Sequence, residues 1–121
     1  MEGYKDPFNR STYPWGGEDR GLIDWYRRLG KLRNDVDCLT DGEFEVAKCL
    51  DAVMSFVRRG KKDSLFVAVN RSDCNTHHID LPEGFNGART VLGTASVYKG
   101  VVTIPPMSCI ILRANNFSMF K

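Results

Sequence analysis

A chain of 121 residues with 42% apolar and 26% charged side chains has material for one domain around one core. Its 17 basic and 15 acidic residues leave a formal charge of +2, too balanced to select nucleic acid or an anionic membrane as partner. No run reaches the 18 or so apolar residues that cross a bilayer. Residues 1–7 lack the apolar stretch of a secretion signal, so a cytoplasmic location is expected.

Residues 1–17 are punctuated by Gly3, Pro7, Asn9, Pro14, Gly16 and Gly17 too densely for a helix or strand. Tyr4, Phe8, Tyr13 and Trp15 are interleaved there, more apolar area than a polar linker carries. The segment therefore reads as a loop that packs onto something. Residues 19–34 read as one helix, because Leu22, Trp25, Tyr26, Leu29 and Leu32 recur at three- and four-residue steps. Asp19 is placed to cap it, Lys31 and Arg33 suit its negative end, and Trp25 and Tyr26 are expected in a core.

From Gly42 the period changes to two. Strands are expected at Phe44, Val46 and Cys49, at 53–59, at 64–70 and at 77–81. A short one follows at 90–92, and the last two are expected at 101–104 and 108–113. The basic run Arg58-Arg59-Gly60-Lys61-Lys62 reads as a solvated hairpin turn rather than a phosphate site. Short strands with frequent turn signals after a single helix predict a mainly β, antiparallel two-sheet sandwich. Alternation assigns Phe44, Phe56, Val67, Val69, Ile79, Ile104 and Ile111 to its core, with Phe56→Ala expected to cost about 3–5 kcal/mol.

Cys38, Cys49, Cys74 and Cys109 contain no C-x-x-C pair, so neither zinc nor another metal is expected, and reduced, partly buried thiols fit best. His77 and His78 are adjacent, point to opposite faces of a strand and cannot share a metal. Asp80, on the face of His78, reads as a surface partner. Glu43 and Glu45 read as solvated strand residues, without the enclosed cleft that raises one carboxyl pKa for glycoside chemistry. Sequons at Asn9, Asn70 and Asn116 read as chance.

The N-terminal run from Met1 to Trp15, with Asp6-Pro7-Phe8-Asn9-Arg10 followed by Pro14-Trp15, resembles the loop after the last barrel strand of glycoside hydrolase family 13, the alpha-amylase family. It is most like the neopullulanase, cyclomaltodextrinase and maltogenic amylase members. Leu22, Tyr26-Arg27-Arg28-Leu29 and Leu32-Arg33 resemble the family's last barrel helix. Gly42-Glu43-Phe44, Phe56-Val57-Arg58-Arg59 and Val67-Ala68-Val69-Asn70-Arg71-Ser72 resemble its C-terminal sandwich, in the same order.

The resemblance implies a parent enzyme that cleaves α-glucosidic bonds with retention on a (β/α)8 barrel, using a nucleophilic aspartate and a glutamic acid. Such a barrel needs roughly 250 residues, and the family's catalytic carboxylates lie upstream of the loop that begins this chain. The chain is therefore expected to be a fragment: residues 1–36 a barrel remnant, 37–114 the C-terminal sandwich and 115–121 a tail. It is expected to hold no catalytic residue and no cofactor, and to stabilise the barrel of its parent, whose substrate is an α-glucan.

Asp6 and Arg10 match the family's D-P-x-x-R, which implies hydrogen bonds to glucose in the parent; the alternative is that the two pair with each other to shape the loop, and that is the expectation for a fragment. Trp15 either lines the glucan cleft or plugs the barrel–sandwich junction. The helix, without its barrel neighbours, invites packing on the sandwich or self-association. The competing readings are an autonomous carbohydrate-binding module, which needs several aromatics on one exposed strand face, and an immunoglobulin-like interaction module.

Overall fold

The computed structural model describes Tyr13 and residues 15–115. Asp6, Arg10, most of the expected N-terminal loop and residues 116–121 of the expected tail lie outside the described residues. The chain divides into two compact units, residues 1–32 and 33–121.

The first unit holds most of α1 (Arg20–Asp35). Asp19 starts it: its carboxylate accepts the Leu22 N–H at 3.0 Å, satisfying one of the donors a helix leaves open at its beginning. No residue of α1 is buried, so the expected core role of Trp25 and Tyr26 is not met. Tyr26 is exposed, and Trp25 is half-buried with the Arg28 guanidinium 5.7 Å from its ring.

The second unit is the sandwich. A helical turn, α2 (Cys38–Asp41), precedes β1 (Glu43–Leu50), β2 (Val53–Arg59), β3 (Asp63–Asn70), β4 (His77–Asp80), β5 (Arg89–Gly93), β6 (Ser96–Tyr98), β7 (Val101–Ile104) and β8 (Ser108–Asn115). One sheet runs β1-β2-β3-β8-β5 and the other β4-β7-β6, with every pairing antiparallel. The sequence misses α2, too short to show a period, and β6, three residues long. Gly42 lets α2 turn directly into β1. Its N–H donates to Cys38 O at 3.0 Å, and a Cβ there would collide with that same carbonyl.

The core lies between the sheets. Val57, Phe66 and Leu112 form one row across β2, β3 and β8, and Ser55, Ala68 and Ile110 the next. They meet Ile79, Val102, Ile104 and Phe85, whose ring centroid is 5.9 Å from that of Phe66. This corrects the expected core. Ile79, Ile104 and Ile111 are buried, but Phe44 and Val69 are exposed, and Phe56 and Val67 are half-buried on the opposite face. In β2 and β3 both faces are apolar. A period of two shows that residues alternate and leaves the inward set undetermined.

Asn70 joins the sheets at one end. It is fully buried, and its Nδ2 donates to Asn75 O at 2.8 Å, Ile104 O at 2.9 Å and Pro105 O at 3.1 Å. Its Oδ1 accepts the Ser72 N–H at 3.0 Å in an Asx turn. The sequon at Asn70 is thus a structural joint, with its amide turned inward.

Candidate functional site

Strand register places Val46, Phe56, Val67 and Ile111 in one row on the outer face of the five-stranded sheet. Cys49, Met54, Val69 and Cys109 form the row on one side, and Phe44, Arg58, Leu65 and Arg113 the row on the other. The face is therefore apolar except for arginines along one margin. Phe44 and Val46 are each 57% exposed, Met54 50% and Val69 42%. Phe44 and Phe56 pack ring to ring, centroids 5.2 Å apart. A sheet face that faces water alternates polar side chains into it; this one presents phenylalanine, valine and methionine. An open apolar patch of this kind marks a contact surface.

The margin with the arginines is covered. Val36, Cys38 and Leu65 are fully buried, and Cys38 is held at this end by Asp63 and lies against Gly60. Asp63, also buried, holds this end together: its Oδ1 accepts the Cys38 N–H at 3.3 Å and its Oδ2 meets the Arg113 guanidinium at 2.7 Å. Arg58 donates to Gly42 O at 2.9 Å. The Cys38 thiol is pushed up to about 12, by burial first and then by the charge and hydrogen bond of Asp63, so it stays protonated and inert. Burial also raises the Cys109 thiol.

The other residues singled out in the sequence are dispersed. His77 pairs in register with buried Ile104, whereas His78 faces outward and its Nδ1 meets Thr103 Oγ1 at 2.9 Å. Glu43 and Glu45 are exposed, but at the uncovered edge of the core-facing side, while Phe44 between them points the other way. Glu45 pairs with Arg59 at 3.3 Å, and Arg59 also lies 5.8 Å over the Phe85 ring. The basic run is thereby resolved: Arg58 and Arg59 serve the fold, and Lys61 and Lys62 are exposed at the turn. Among the described residues no cluster of three or more His, Cys, Asp and Glu could hold a metal. No helix among them is long and apolar enough to cross a membrane.

No family model matches the chain. Over 84 residues it is 33% identical to an amylopullulanase of Thermoanaerobacterium saccharolyticum, covering 60% of this chain and 7% of that one. Over 91 residues it is 35% identical to an amylopullulanase of Thermoanaerobacter thermohydrosulfuricus, 66% of this chain and 6% of that one. The chain is homologous to a part of alpha-amylase-family glycoside hydrolases. It thus spans a small fraction of the length of these relatives. In three dimensions it matches the debranching enzyme of Nostoc punctiforme with a TM-score of 0.72 at 24% identity, over 88% of this chain and 24% of that one. That likeness is one of fold: two antiparallel sheets preceded by a helix.

Proposed function

We propose that this chain is a non-catalytic C-terminal sandwich of an α-glucan-hydrolysing glycosidase, nearest in kind to neopullulanase, cyclomaltodextrinase and maltogenic amylase, and that it stabilises the catalytic barrel. The observation that carries the reading is the open apolar outer face of the five-stranded sheet, on a fold that makes up about a quarter of a larger debranching enzyme. Packed against a barrel, that face would be the hidden side of a domain contact, which explains why phenylalanine and valine stand where solvated side chains otherwise would. In the parent, Asp6 and Arg10 contact the glucan by resemblance to D-P-x-x-R, and retaining cleavage belongs to barrel carboxylates. Among the described residues, Glu43 and Glu45 stand exposed on an edge strand rather than in an enclosed cleft.

Two measurements test this. The genomic frame upstream of the Met1 codon should encode a barrel with catalytic carboxylates. The purified 121-residue chain should release no reducing sugar from starch, pullulan or cyclodextrins. An upstream region without a barrel, or turnover by the pure chain that is lost on mutating an acidic residue within it, would overturn the reading.

A further inference from the structure

We infer that the free 121-residue chain closes the outer face of its five-stranded sheet against the same face of a second copy. The inference concerns the chain without a barrel and stands independently of the proposed function; in the parent a barrel would compete for the same surface. From their exposures, Phe44, Val46, Met54 and Val69 leave on the order of 400 Å² in water. Two such faces remove about 800 Å² from these residues alone. The flanking Phe56, Val67, Cys49 and Cys109 carry the total past the roughly 1,000 Å² that separates specific contacts from incidental ones. That area lies at the small end for a specific contact, where association is weak and concentration-dependent.

Charge selects the arrangement. The arginines lie along one margin, in the row of Phe44, Arg58, Leu65 and Arg113, and the opposite margin carries Cys49, Met54, Val69 and Cys109. A twofold axis in the sheet plane, running across the strands, lays each arginine margin over the uncharged margin of the other copy and keeps like charges apart. Edge-to-edge pairing through β1 is disfavoured: Glu43, Glu45 and Lys48 line that strand, and its ladder is broken by a bulge between Val46 and Lys48. Face-to-face stacking at about 10 Å is the ordinary geometry for two twisted sheets.

Sedimentation equilibrium of the whole chain between about 5 and 500 μM tests this, with maleimide labelling of its native thiols as a second readout. Cys49 lies on the face, and Cys74 is exposed in the connection from β3 to β4. We expect dimer formation across that range, with labelling of Cys49 slowed several-fold at the high end and that of Cys74 unchanged. Val46→Glu, on an exposed edge-strand position, should weaken the dimer at least tenfold while circular dichroism and the urea midpoint stay near those of the parent chain. Tyr98→Lys, on the other sheet, should leave it unchanged. A monomer throughout would overturn the inference, whether Cys49 is open or is protected by another part of the same chain. So would a dimer insensitive to Val46→Glu, which would place the contact elsewhere, for instance on α1. None of these outcomes bears on whether a barrel frame lies upstream.

Discussion

Replacing Asn70 with alanine removes the joint between the two sheets. The amide has two protons for three carbonyl oxygens at 2.8, 2.9 and 3.1 Å, so it makes one good bond and shares the other. Its own oxygen holds the Ser72 N–H at 3.0 Å. Three net bonds at about 1 kcal/mol each give a loss of about 3 kcal/mol, to which the buried Ile104 carbonyl, left without this donor, adds up to about 1 kcal/mol. Against a domain stability of about 5–15 kcal/mol this is a large fraction. With a urea slope of about 1.5 kcal/mol/M, the midpoint should fall by about 2 M. Asn70→Asp is the sharper variant: it keeps the acceptor for Ser72 but sets a carboxylate among three carbonyl oxygens, and should lose at least as much. A midpoint shift below about 0.3 M for both variants, at unchanged slope, would show that the joint contributes nothing and that the sheets are held by apolar packing alone.

In the core, Phe66→Ala should cost about 3–5 kcal/mol in the same assay, because Phe66 is fully buried against Phe85. Phe56→Ala, on the outer face, should cost only about 1–2 kcal/mol when measured at about 1 μM or below, where the chain is monomeric; equal losses there would mean that the outer face is covered within a single chain. Among the thiols, Cys49 and Cys74 should react with a disulfide reagent at pH 8 within minutes, Cys109 more slowly, and Cys38 only after unfolding. The pH dependence has a definite sign. The folded Cys38 thiol keeps its proton up to about 12, whereas the unfolded chain releases it near the ordinary value of 9.0. Stability therefore falls as pH rises from about 9 to 12. Cys38→Ala should flatten that limb of an alkaline denaturation profile, and an unchanged profile would refute the assignment.

Much of the architecture was legible because local chemistry and the fold agree. Asp19 before an apolar period of 3.6, and Gly60-Lys61-Lys62 between two alternating runs, each name their element. The orientation of β2 and β3 was not legible. Met54, Phe56, Val67 and Val69 form as good an apolar stripe as Val53, Val57, Phe66 and Ala68, and the larger side chains fall on the outer one. One signal in the sequence bore on it. Ser55 and Asn70 sit in the inward set, where the structure needs small volume and a buried hydrogen-bonding group, and a polar residue among apolar ones is easily read as facing solvent. The candidate site was hidden by the same ambiguity, since an open apolar face and a core face carry the same composition. Asp6 and Arg10 rest on resemblance alone.

The order of strands in the large sheet has a kinetic consequence. β1, β2 and β3 are joined by short hairpins and can pair as soon as they are made. β8 lies between β3 and β5, so the sheet is closed by residues 108–115. Its pairing of Asp63 with Asn115 and of Asn70 with Ser108 spans a long stretch of chain, and such non-local pairing is slow. During synthesis the β1–β3 meander therefore waits on the ribosome with β3 as a bare edge and with both apolar faces of β2 and β3 open to water. That interval, longer than any single hairpin closure, is when the chain is most prone to sticking to another nascent copy. A stop codon a few residues before position 108 would make the waiting state permanent.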